Sequence, residues 1–159
     1  GEAHEAGKAT IIVINKWDTY EKDEHTMVEF EEKVRNEFAY LSYAPILFVS
    51  AKTRQRVDTI IPEVDRVFEN STRRVSTNIL NEVIADSQIT TPAPARNGKR
   101  FRIYYATQVA IQPPTFVLSC NEPKLMHFTY QRFIENTLRR AFDFEGTPIH
   151  IIARKKVSE

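Results

Sequence analysis

The sequence predicts two segments in tandem. The first is an α/β segment of order strand–helix–strand–helix with a parallel sheet; the second is an α+β segment of order α-β-β-α-α-β. Three observations carry this. KATIIVI (8–14) and PILFVS (45–50) are apolar runs without alternation, which fits strands covered on both faces. KRFRIYYATQVAI (99–111) alternates instead, as a half-exposed strand does. Charge divides along the same line. Residues 1–71 hold 9 Lys and Arg against 14 Asp and Glu, a balance of −5, whereas residues 72–159 hold 13 against 7, a balance of +6.

The elements follow in order. After the first strand, Met27, Phe30, Val34, Phe38 and Leu41 share one stripe of a helix near 26–40, with Thr26 and Glu29 as a capping box. Val57, Ile60, Ile61, Val64 and Phe68 mark a second helix, with Pro62 in its first turn. Two strands joined through a helix imply a right-handed parallel crossover. The polar stretch NSTRRVST (70–77) is the boundary, giving segments 1–71 and 72–159. Ile79, Leu80, Val83 and Ile84 make a short helix capped by Ser76, and TTPAPARNGK (90–99) is a loop with an Asn-Gly turn. Pro113 and Pro114 end the alternating strand, and TFVLSC is the next one. Asn121-Glu-Pro suggests a capped short helix near 122–126. Tyr130, Phe133, Ile134, Leu138, Ala141 and Phe142 line a longer helix, and PIHIIAR is the last strand.

The composition, 42% apolar and 27% charged, is that of a globular protein. No apolar run approaches the roughly 20 residues of a membrane span. No basic-then-apolar leader is visible, and a reducing cytoplasm fits the single Cys120, which reads as a small core residue. Histidines 4, 25, 127 and 150 lack metal-ligand spacing and read as surface or packing residues, so no metal site is expected. Tyr104 and Tyr105 fall on opposite faces of a regular strand. At most one is then an exposed stacking platform, and core packing is the commoner role for both.

The sharpest chemical signal is NKWD, at the end of the first strand. Guanine presents two N–H donors, N1 and N2, beside the O6 acceptor. A carboxylate on a fixed loop accepts both donors, and Asp18 supplies it; each such bond contributes roughly 1.5–3 kcal/mol. Adenine has an acceptor where guanine has N1–H and would leave Asp18 unpaired. Asn15 has the amide to reach N7 and tie neighbouring loops together, and the Lys16 stem can cover the base face. The second strand ends at FVSAK, where the Ala51 N–H suits O6, Ser50 can brace Asp18, and Lys52 can cover the other base face. Both loops then lie at the carboxyl end of a parallel sheet, where ligands of such folds bind.

This pair resembles the fourth and fifth guanine-nucleotide motifs of P-loop GTPases. With HEAGKA…NKWD, YAPILFVSAK, YYATQVAIQPPTFV, LMHFTYQRFIEN and FEGTPIHIIARKK, nearly the whole chain resembles the C-terminal part of the Der/EngA family. That family has two GTPase domains in tandem, then a KH-like domain, and serves assembly of the large ribosomal subunit in bacteria. The resemblance implies that 1–71 is the back half of the second GTPase domain and 72–159 the KH-like domain. It implies a parent that hydrolyses GTP to GDP with magnesium. The partners it implies are the large subunit, its rRNA and the first GTPase domain, with no membrane and no DNA.

No phosphate loop G-x-x-x-x-G-K-[ST] is present. GEAHEAGKA has five residues between its glycines, ends in Ala9 where a hydroxyl is needed, and precedes a strand. The remaining glycines, Gly98 and Gly146, serve no better, and the Asp-x-x-Gly of the magnesium switch is also missing. The sequence therefore reads as a fragment with recognition residues and no catalytic residue, to which no cofactor is expected to bind. Its isolated strands are expected to expose apolar faces. In the second segment, Met126, His127, Phe128 and Thr129 stand where KH domains place a G-x-x-G backbone clamp, and no glycine is among them. Basic groups keep RNA in play: Lys99, Arg100 and Arg102 by the alternating strand, Arg139 and Arg140 on the long helix, and Arg154, Lys155 and Lys156 in the tail. They suit contact with rRNA or with the other GTPase domain. The alternative is a stand-alone RNA- or protein-binding module with a vestigial nucleotide loop.

Overall fold

The computed structural model describes the chain except residues 16–23, 53, 55 and 158–159 and the side chains of 24–26. It divides into two compact units. One holds Gly1–Ser71 together with Phe144–Pro148, and the other holds Thr72–Asp143 and Ile149–Glu159.

In the first unit a short helix α1 (Glu2–Glu5) occupies the stretch that imitates a phosphate loop. Strand β1 (Ile12–Ile14) follows, then helix α2 (Glu24–Glu37) and strand β2 (Ile46–Phe48). β1 and β2 pair in parallel, Ile12 opposite Ile46 and Ile14 opposite Phe48. The expected burial on both faces is not met, because Val13 is 42% exposed. Helix α2 starts at Glu24, so Thr26 lies inside its first turn and is not the cap. It ends at Glu37, and Phe38 begins a separate 3-10 turn, Ala39–Leu41.

Helix α3 (Ile60–Ser71) corrects the expected stripe more sharply. Ile61, Val64 and Phe68 are exposed, and the buried face is Val67, Asn70 and Ser71. The reason is the segment 144–148, which lies against that other face. Asn70 Nδ2 donates to Glu145 O at 2.9 Å, and Arg66 pairs with Glu63 and, at 3.3 Å, with Glu145. Thr10 N donates to Gly146 O and Gly146 N to Tyr43 O, each at 2.6 Å. Phe144 and Thr147 are buried.

The second unit contains α4 (Thr77–Thr90), β3 (Ile103–Ala110), β4 (Thr115–Cys120), a 3-10 turn (Pro123–Leu125), α5 (Phe128–Ala141) and β5 (His150–Lys155). The sheet order is β3-β4-β5, antiparallel then parallel. This is the expected α-β-β-α-α-β order, with a 3-10 turn as the middle helix. Phe116, Leu118 and Cys120 on β4 are fully buried with Ala106, Leu80, Ile134 and Leu138. Asn97 and Gly98 have φ of 51° and 75°, the two left-handed positions that an Asn-Gly hairpin turn requires. Ser76 is the N-cap of α4 but makes no side-chain capping bond. Within Asn121-Glu-Pro, Glu122 is the residue that caps the 3-10 turn, its side chain accepting from Lys124 N. Asn121 instead clasps the loop before β3, accepting from Arg102 N and donating to Arg100 O.

β3 is an edge strand, and two amides of α4 occupy its open side. Asn81 accepts from Ala106 N at 2.8 Å and donates to Ala106 O at 2.9 Å; Gln88 does the same with Ile103, at 2.8 and 3.0 Å. Seven helical residues rise about 10.5 Å, and three strand residues about 10 Å, so the spacings match. Asn81→Ala leaves both polar groups of the fully buried Ala106 unpaired. A loss of about 2–4 kcal/mol is expected in urea unfolding followed by circular dichroism. An unchanged midpoint would show that these bonds contribute nothing.

Candidate functional site

The parallel pairing brings the ends of β1 and β2 together. Val49 N donates to Ile14 O at 2.9 Å, so the two strands leave the sheet side by side. Asn15 follows at once, exposed, and its Oδ1 accepts from Ala51 N at 3.1 Å. That bond ties the two strand-end loops together. It also occupies the Ala51 N–H, the donor expected from the sequence for a guanine O6. Ser50 is fully buried, and Ala51 and Lys52 are exposed. Lys16 and Asp18 lie outside the described residues. Arg54 and Arg56, just beyond Lys52, have left-handed φ of 58° and 59°. No sequence signal marks them, since neither is a residue type that favours that region.

The eight basic residues of the second unit singled out from the sequence separate into groups. Lys99 pairs its backbone with Arg96 across the Asn-Gly hairpin, and Arg100 and Arg102 are exposed on the loop that leads into β3. On α5, Arg139 lies 3.6 Å from Glu135, and Arg140 Nη2 donates to Thr137 Oγ1 at 3.3 Å. On β5, Arg154 is exposed, and Lys155 lies 4.0 Å from Glu122. Lys156 Nζ sits 5.1 Å from the centroid of the Tyr104 ring. In the stretch Met126–Thr129, Phe128 is 71% exposed with Arg132 over its ring at 4.9 Å.

The tyrosine pair overturns an expectation. Tyr104 and Tyr105 are both 49% exposed. Ile103 pairs with Cys120 and Tyr105 with Ser119, so Tyr104 is an extra residue against β4. Such a bulge breaks the strict alternation that would put one ring in the core. Cys120 is buried, and burial together with the Glu122 charge pushes its thiol pKa up, away from nucleophilic use. Burial likewise raises the Tyr130 phenol, which donates to Thr91 O at 3.0 Å. Among the described residues, no helix is long and apolar enough to cross a membrane.

A family model described as the KH-domain-like domain of EngA bacterial GTPase enzymes, C-terminal, matches residues 74–154, just over half of the chain. The chain belongs to this family. Curated relatives extend the likeness to residues before 74. GTPase Der of Lacticaseibacillus casei (strain BL23) is 60% identical over 156 residues, which are 98% of this chain and 36% of that protein. The GTPase Der proteins of Ligilactobacillus salivarius (strain UCC118) and Geobacillus thermodenitrificans (strain NG80-2) show the same identity and coverage. The chain thus spans about a third of the length of these relatives. The EngA-type KH-like domain accounts for the β3-β4-β5 sheet with α4 and α5.

Proposed function

We propose that this chain is the C-terminal part of a GTP-hydrolysing protein acting in assembly of the large ribosomal subunit. In this reading residues 1–71 carry its guanine-recognition loops, and the basic KH-like domain contacts rRNA or the first GTPase domain. The single observation behind the nucleotide reading is the junction of the two strand-end loops through Asn15 and Ala51. Their relatives' printed name, GTPase Der, supports the same activity in a longer parent. Asn15, Lys16 and Asp18 would hold one side of the base, and Ser50, Ala51 and Lys52 the other. Phosphates and magnesium would be held by parts of the longer relatives outside the matched 36% of their length. The exposed Val13, Ile61, Val64 and Phe68 fit a half-domain whose covering strands and helices lie in those parts.

The 159-residue polypeptide by itself does not hydrolyse GTP, because phosphoryl transfer depends on positioned phosphates, a metal and an oriented water. Isothermal titration with GTP is expected to show binding weaker than about 100 μM. That is roughly 5.5 kcal/mol, in keeping with base contacts that compete with Asn15 for the Ala51 N–H. Micromolar affinity, or phosphate release above background, would refute the inactive-fragment reading.

A further inference from the structure

α4 packs on β3 and α5 packs on α4, and the inner face of the sheet is closed by Phe116, Leu118 and Cys120. The opposite face is open. Its rows follow from the register: Tyr105–Ser119–Arg154, Thr107–Val117–Ile152, and Ala110–Thr115–His150. Lys156 continues the His150, Ile152, Arg154 alternation. It lies over the Tyr104 ring, which places that ring on the open face too. Tyr104, Tyr105 and Ile152 are 49%, 49% and 39% exposed. None of the three strands carries an acidic residue.

We propose that this open sheet face binds single-stranded RNA, with bases stacking on Tyr104 and Tyr105 and phosphates held by Arg154 and Lys156. It rests on the reading above that the basic domain touches RNA, and it names the surface. The chemistry is that of a stacking platform set in a positive field. An aromatic ring accepts the face of any unstacked base, and cations follow the backbone. A duplex hides its base faces, so the two rings select single strands. Arg154 and Lys156 put two cations beside the rings with no acidic residue on the three strands, which suits a polyanion better than an apolar protein partner. The other basic groups offer less. Arg139 is tied to Glu135, and the groove beside Arg140 includes Asp86. The Met126–Thr129 stretch lacks the glycines of a backbone clamp. In the free protein Lys156 covers the Tyr104 ring; a docking base replaces it there and releases the ammonium to a phosphate.

The test is fluorescence anisotropy of a labelled ten-nucleotide oligouridine against the full 159-residue chain across a salt series. Tyr104→Ala with Tyr105→Ala is expected to weaken binding by about 10- to 100-fold, and Tyr105→Phe to leave it unchanged. Arg154→Ala with Lys156→Ala is expected to flatten the salt dependence by about 0.7 per charge. An RNA duplex of equal length is expected to compete poorly. Both rings are half exposed, and unchanged thermal melting of the variants separates lost stacking from lost fold. Wild-type affinity in the double tyrosine variant, or equal competition by the duplex, overturns the proposal. Loss confined to a Lys99, Arg100 and Arg102 alanine variant overturns this surface while keeping RNA as partner. Failure of the wild-type chain to bind at low salt removes the RNA reading and this proposal together. Tyrosine changes that abolish binding to the first GTPase domain but not to RNA give the face to protein and overturn it as well.

Discussion

Gly146→Ala is expected to destabilise the unit containing residues 1–71 by about 3–5 kcal/mol. Three costs combine. Gly146 has φ of +88°, where a side chain costs about 1–2 kcal/mol. A Cβ there would lie 2.6 Å from Val67 Cγ1 and 2.9 Å from Val67 Cβ, and overpacking of that kind costs about 1–3 kcal/mol. Relief of the clash pulls Gly146 away from Thr10 and Tyr43, whose bonds with it contribute about 0.5–1.5 kcal/mol each. A small domain is stable by only about 5–15 kcal/mol, so the unit would be close to unfolding. Val67→Ala in the same chain removes the Cγ atoms but not the Cβ, and is expected to recover about 1–2 kcal/mol of the overpacking cost. Urea unfolding, with limited proteolysis to locate the loosened region, reads both effects. A wild-type midpoint for Gly146→Ala would show that the segment 144–148 is not held as described.

Asp18→Asn in the full-length parent is expected to weaken GTP by about 10²-fold or more and to raise the affinity for xanthosine triphosphate. In the proposed site the Asp18 carboxylate would accept from N1–H and N2–H, and each charge-assisted bond would contribute about 1.5–3 kcal/mol. The amide keeps one acceptor and turns a donor toward the second position. Guanine meets donor against donor there, whereas xanthine presents a carbonyl. Sites built on buried polar pairing discriminate by about 10⁴ or more. Competition between the two nucleotides for the purified variant decides it. An unchanged preference would remove Asp18 from base recognition.

The crossover helix and the α-β-β-α-α-β order were legible because burial imposes period 2 or 3.6 on side-chain type, whereas the parallel pair was legible from apolar runs without alternation. Asn97-Gly98 was legible because only certain residues accept left-handed φ. The departures on α3 and at the tyrosine pair turned on contacts distant in sequence or on a bulge, which residue type does not encode. On α3 the apolar residues Ile61, Val64 and Phe68 face outward, while Asn70 and Arg66 take the covered side to meet the Glu145 carbonyl and carboxylate. That meeting joins residues 75 apart in sequence, and no local pattern announces it. The split at 71 and 72 is similarly coarse, since 144–148 groups with the first unit. Tyr104 and Tyr105 depart from strict alternation because a bulge adds a residue without changing composition. At the loops, Asn15, Ser50, Ala51 and Lys52 are brought to one end of a two-stranded sheet, with Lys16 and Asp18 outside the described residues.

The amides of Asn81 and Gln88 have one more effect. By filling the free side of β3 they make it a poor template for a foreign strand, which leaves β5 as the margin where the sheet could be extended. There a second copy would bring its own Arg154, Lys155 and Lys156 against the same three cations, and like charges at strand spacing repel. One margin of the sheet is thus closed by hydrogen bonds, and the other carries like charges that disfavour strand addition.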